Sequence, residues 1–142
     1  MWWPFKKTSG KPEDKRHRAG RWGEKQAERH LRGLGFRILA RRFRVGRRDE
    51  LDLIARDGDT LVFVEVKTRA SEDFGAPIAS VKDGKRHALS RAAVRYLSRL
   101  RRKPGYFRFD VVEVIGKEGE GAPHIRHTPN AFTLAPPYRA PW

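Results

Sequence analysis

Residues 50–67 read ELDLIARDGDTLVFVEVK, and the fold is worked out from them. Residues 51–55 and 61–66 are rich in aliphatic and β-branched side chains, and the RDGD between them holds a glycine able to take positive φ in a tight turn. The stretch therefore reads as a β-hairpin. Side chains alternate across a strand, so Glu65 and Lys67 share one face while Val64 and Val66 share the other. Whether Asp52 joins Glu65 depends on the turn. An even loop, such as Asp57-Gly58 alone, puts both carboxylates on one face; an odd loop separates them. Under the even register one face carries Leu51, Leu53, Val62, Val64 and Val66 and is wholly apolar. The other carries Asp52, Ile54, Leu61, Phe63, Glu65 and Lys67. An odd register would mix charge into both faces, so this segregation favours the even one.

Upstream, Ala27, Leu31 and Leu34 recur at helical spacing from about Arg21, with Glu24 and Glu28 bordering that face and Gly33 and Gly35 as the stop. FRILARRFRV (36–45) then alternates, with Phe36, Ile38 and Ala40 on one side, and reads as a strand with a basic flank. Downstream, residues 70–84 read as a loop. A second helix follows over 85–100, with Ala88, Leu89, Ala92, Ala93, Tyr96, Leu97 and Leu100 as its apolar stripe, ended by Pro104 and Gly105. YFRFDVVEVI (106–115) is a further strand. Helix, three strands, helix, strand within about 95 residues implies an α/β fold, a mixed central sheet flanked by helices. The expected organisation is a flexible basic arm over 1–19, one domain over 20–116, and a Gly/Pro-rich segment over 117–142 whose last few residues are unstructured.

The 142 residues carry 32 Lys+Arg against 17 Asp+Glu, a formal charge of +15. Such a field attracts polyanions, so nucleic acid is the leading partner; solubility or an arginine-favouring coding bias is the plainer explanation. Cysteine is absent, which excludes disulfides, zinc thiolates and Cys nucleophiles and leaves any metal to carboxylates or His. There is no apolar run of membrane-spanning length and no signal-like start in MWWPFKK, so the expectation is a cytoplasmic protein with no membrane partner. The chain has no Gly-rich phosphate loop of the G-x-x-x-x-G-K type and no nucleophilic serine setting, which disfavours nucleotide hydrolysis and acyl transfer.

Asp52 and Glu65 a few Å apart would repel, and a hard divalent ion, Mg²⁺ or Mn²⁺, would satisfy both while leaving positions open for phosphate. Lys67, two residues on, would orient a water or neutralise the phosphate. The plainer alternative is a set of salt bridges on a solvated sheet face. Arg41, Arg42, Arg44, Arg47 and Arg48 either grip phosphates beside this site or form a solvated basic loop. Lys82, Lys85 and Arg86 open the second helix, where phosphate is favoured. His124 and His127 lack the companions of a metal site. Trp22 suits packing, while Trp2 and Trp3 sit in the arm.

Gly23-Glu24 with Ala27, then Leu34-Gly35-Phe36, ELDLIARDGDTLVFVEVKTR and RFDVV together resemble the YraN-like family of small bacterial proteins, over about residues 20–115. That family looks similar in fold to archaeal Holliday-junction resolvases of the PD-(D/E)xK nuclease superfamily, which implies a restriction-endonuclease-like core. Carried over by motif, the resemblance assigns Glu24, Asp52, Glu65 and Lys67 to the metal and the scissile phosphate. Glu24 is otherwise an ordinary exposed helix glutamate. The implied function is a metal-dependent endonuclease on branched or structured DNA, with a non-catalytic nucleic-acid-binding module as the alternative. Resolvases work as dimers, which suggests a homodimer. Two positions depart from the family pattern. Asp49 stands where glycine is common, either tuning metal affinity or, the preferred reading, pairing with Arg47 or Arg48. Arg42 stands where asparagine is frequent.

Overall fold

The computed structural model describes residues 15–71 and 82–142; the expected loop over 70–84 lies largely outside them, as do Trp2 and Trp3. The elements are α1 (Lys15–Gly33), β1 (Arg37–Val45), β2 (Asp49–Asp57), β3 (Thr60–Arg69), α2 (Asp83–Ser98), β4 (Tyr106–Ile115) and β5 (His124–Phe132). The strands form one sheet in the order β1-β2-β3-β4-β5, antiparallel except for the parallel β3–β4 pair that α2 connects. This is an α/β fold with a mixed sheet, consistent with a restriction-endonuclease-like core.

Each sheet face is covered by one helix. On the first, Ala27 and Leu31 of α1 pack with Phe36, Leu53, Ala55, Val62, Val64, Val112 and Val114, and Trp22 joins them. On the second, Leu89, Ala92, Ala93 and Leu97 of α2 pack with Leu51, Ile54, Leu61, Phe63 and Phe109. Phe63 stands at the centre of an aromatic group with Tyr96, Phe107 and Phe109.

The hairpin closes at Asp57↔Thr60, so its loop is Gly58-Asp59, one residue later than Asp57-Gly58 and of the same even parity. Gly58 has φ 58, as a two-residue turn of this kind requires.

Four expectations need correction. Residues 15–19, expected in the arm, are the first turns of α1; their exposed side chains carry no apolar period, which hid a helix that Lys, Arg and Ala favour intrinsically. Ala40 does not share a face with Phe36 and Ile38, because a register shift between Ile38 and Ala40 turns it toward α2. Leu51 does not follow Leu53 either: it packs under α2 while Leu53 packs under α1. The alternation breaks where Arg42, at φ 49, lies opposite Asp52 between the pairs Arg41↔Leu53 and Phe43↔Leu51. Finally, the expected order of elements ends at the fourth strand, but the Gly/Pro-rich C-terminal segment carries one more. It supplies β5, an edge strand able to hold Pro129 because an edge need not donate on both sides. Beyond β5, the Ala135 N–H donates to Ser90 Oγ, and Trp142 meets Phe107 edge-on.

The RFD of β4 is structural. Asp110 is fully buried and accepts bonds from Arg108 and the Asn130 N–H, with His127 Nε2 at 2.8 Å. Burial pushes its carboxyl up, but those three donors outweigh it and hold the group below the usual range. His127 Nε2 is engaged by Asp110.

Candidate functional site

Asp52 occupies the point where β2 and β3 part. The ladder between them runs from Asp57↔Thr60 to Leu53↔Val64, and there Asp52 Oδ2 accepts the Val66 N–H at 2.9 Å. A side chain has taken the place of a backbone partner, which fixes the carboxylate beside β3. Glu65, one residue before Val66, lies within hydrogen-bonding reach of it. Desolvation first, then the charge of Glu65, push the Asp52 carboxyl up to about 8; Glu24 adds to this, against the opposing Val66 N–H. At neutral pH the pair without a cation therefore holds a proton.

Glu65 is 4% exposed. Its Oε1 is 3.4 Å from both Lys67 Nζ and Lys85 Nζ, while Oε2 is buried with no hydrogen-bond partner among the described residues. Buried acceptors are nearly always satisfied; without a cation the proton held by the Asp52–Glu65 pair can serve this carboxylate, and a cation would take its place. Lys85, at the start of α2, flanks this glutamate, at the end of the sheet where Lys67 also lies.

Glu24 reaches the same place because α1 comes very close to β3. A Cβ on Gly23 would lie 1.9 Å from Thr68 Oγ1, so only glycine permits this approach. The result is a cleft of about 410 Å³ lined by Arg16, Ala19, Gly20, Glu24, Asp52, Val66, Lys67 and Thr68. Gly23 and Thr68 both stand in the family motifs without a local signal of this contact, and nothing in the sequence marks Arg16 as lining the cleft.

Glu24 Oε2 accepts a 2.9 Å bond from Arg42 Nε. Arg42 makes this bond from the left-handed backbone region, which costs a non-glycine residue about 1 kcal/mol and which asparagine tolerates best.

The expected phosphate-binding residues divide. Arg41 pairs with Glu28, Arg42 with Glu24 and Arg44 with Glu50. The Arg86 guanidinium donates to the Thr133 and Leu134 carbonyls, tying α2 to the segment after β5. Arg47 and Arg48, in the β1–β2 turn, make no ion pair among the described residues, and Lys82 is exposed. Asp49 corrects the expected pairing with Arg47 or Arg48: it accepts two bonds, at 2.8 and 2.9 Å, from Arg91 of α2, which hold its carboxyl low. The partner is 42 residues away in sequence, and nothing local announces it.

A family model described as "Uncharacterised protein family UPF0102" matches residues 23–114. The chain belongs to the UPF0102 family. This is the YraN-like family of the resemblance, and the match lies within the 20–115 span drawn from its motifs. A UPF0102 protein of Parafrankia sp. is 44% identical over 115 residues, covering 81% of this chain and 96% of that one. One from Symbiobacterium thermophilum is 50% identical over 99 residues, covering 68% and 81%. Another, from Geobacter metallireducens, is 43% identical over 116 residues, covering 82% and 93%.

Among the described residues no three Asp, Glu or His side chains converge as a closed metal cage. Two carboxylates do converge, one raised toward neutrality and the other with an orphan oxygen, beside an open cleft. That set fits a hard ion held by two carboxylates with its other positions open to water or phosphate, as Mg²⁺ is commonly bound. No helix among the described residues is long and apolar enough to cross a membrane.

Proposed function

We propose that this UPF0102 protein is a metal-dependent phosphodiester hydrolase acting on nucleic acid, with branched or structured DNA as its substrate class. The observation that carries the reading is the Asp52–Glu65 pair at the parting of β2 and β3, in which burial and Glu65 raise the Asp52 carboxyl and Glu65 Oε2 is buried without a hydrogen-bond partner among the described residues. Asp52 and Glu65 would hold Mg²⁺ or Mn²⁺. Such an ion supplies positive charge to the phosphodiester oxygens and acidifies water. Lys67, half-exposed at the cleft, aligns the attacking water and neutralises the phosphate as the new P–O bond forms and the bond to the departing strand breaks. Lys85 holds Glu65 in place from α2. Arg47, Arg48 and Lys82 meet flanking phosphates, within the field set by a charge of +15. The protein acts in the cytoplasm, and a homodimer would present two such sites to a symmetric junction.

One observation favours a second reading, a binding module without useful catalysis: Glu24 is engaged by Arg42, and among the described residues no third acid joins the pair. Purified protein with Mn²⁺ and labelled four-way junction, flap and duplex DNA separates the two. The hydrolase reading expects cleavage that falls by about 100-fold or more in Asp52→Ala. Cleavage undiminished in that variant removes the proposed site. Affinity that drops steeply with salt, ignores EDTA and brings no cleavage establishes the module instead.

A further inference from the structure

We infer that Arg42 is a built-in counter-ion that competes with a divalent cation for Glu24, so that nucleic acid, by drawing Arg42 away, completes the metal site. The inference rests on the two-carboxylate reading of Asp52 and Glu65 and adds a control element to it.

The three acids of the cleft region are held differently. Asp52 accepts a backbone N–H, and Glu65 faces two lysines at 3.4 Å. Glu24 instead takes a charge-assisted bond from a guanidinium at 2.9 Å. Arg42 is the residue opposite Asp52 in the β1–β2 ladder, and its backbone at φ 49 turns Arg41 and Arg42 both toward α1, where they meet Glu28 and Glu24. An uninterrupted alternation would send one of them to the other face. The kink thus delivers a cation to the acid that would otherwise be the third ligand.

The Arg42 side chain is 42% exposed, against 23% for Glu24, so it can exchange its carboxylate for another anion without unfolding anything. A phosphate of the nucleic-acid backbone is such an anion, and guanidinium pairs with phosphate as readily as with carboxylate. Once Arg42 turns to phosphate, Glu24 is released toward Asp52 and Glu65. Because linkage is reciprocal, the metal then favours nucleic acid as much as nucleic acid favours the metal. The protein would hold its ion weakly alone and firmly on substrate.

The test is a Mn²⁺ titration of the full chain without nucleic acid, reading free Mn²⁺ by electron paramagnetic resonance, on wild type, Asp52→Asn, Arg42→Asn, Glu24→Gln and the Arg42→Asn/Glu24→Gln double variant. Asparagine suits the left-handed backbone, and Arg42→Gly gives the same reading should the Asn variant fail to fold. Expected are binding roughly 3- to 10-fold tighter in Arg42→Asn, and a larger loss from Glu24→Gln in that background than in wild type. Unchanged or weaker binding in Arg42→Asn, with Asp52→Asn still abolishing it, overturns the inference and leaves the carboxylate pair standing. Wild-type binding that Asp52→Asn does not weaken overturns the carboxylate pair, and the inference with it.

Discussion

Asp52→Asn is expected to make the metal-free protein more stable at pH 8–9, raising its melting temperature by roughly 5–10 °C, while removing Mn²⁺-dependent cleavage. In the fold the Asp52 carboxyl is pushed from 3.8 up to about 8, by burial first and by Glu65 next, so the protonated form is the one the fold prefers. Its contribution to stability is fully present below pH 3.8 and is lost as pH rises toward 8. Above that the wild type carries two facing carboxylates at a cost of a few kcal/mol, discounted for the solvent-open side of the cleft. Asparagine removes the charge and keeps an oxygen for the Val66 N–H. The advantage of the variant should therefore be nearly absent at pH 4, grow to pH 8 and then level off. Added Mn²⁺ should reverse the order, since only the wild type gains from binding it. Thermal unfolding across this pH range, with and without Mn²⁺, checks both signs. A variant less stable than wild type at pH 8 without metal would refute this description of the pair.

Gly23→Ala should destabilise the protein by about 1–3 kcal/mol, against the usual gain when alanine replaces glycine inside a helix. The added Cβ would lie 1.9 Å from Thr68 Oγ1, 3.0 Å from Thr68 Cβ and 3.2 Å from Thr68 Cγ2. Turning Oγ1 away brings another substituent of the branched Thr68 Cβ toward the same space, so while Oγ1 and Cγ2 are present α1 must draw back from β3. That movement carries Glu24 away from Asp52 and widens the cleft. Urea denaturation of Gly23→Ala, and of Gly23→Ala with Thr68→Ala, separates causes. If the close approach is the reason, removing Oγ1 and Cγ2 recovers much of the loss. A Gly23→Ala protein as stable as wild type would show that the approach of α1 is not limited by Thr68.

The hairpin was legible because its register is written in composition: an even loop sorts apolar from polar side chains, and Asp57↔Thr60 has that parity. The second helix was legible for the same kind of reason, its stripe from Leu89 to Leu97 being the face that meets the sheet. What alternation cannot foresee is a residue that leaves the strand conformation. Arg42 at φ 49, with Asp52 opposite it, flips which face its neighbours take, so Leu51 was placed under the wrong helix. The same event brings Asp52 toward Glu24, and strict alternation contains no hint of it. Strand β5 was missed because HIRHTPNAF has no regular alternation and holds a proline, features an edge strand tolerates. Asp52 and Glu65 were legible from their types and spacing, whereas Glu24 came only from the family resemblance. Their counter-ions were not, because Lys85 and Arg42 arrive from elements whose approach depends on the whole packing.

The most direct test of the account is diffraction from crystals soaked in Mn²⁺, with data collected at the manganese absorption edge. One anomalous peak is expected between the Asp52 and Glu65 carboxylates, with Glu65 Oε2 as a ligand, and its loss in Asp52→Asn. Crystals that take up no manganese there, with Glu65 Oε2 still buried and unbonded, would contradict it.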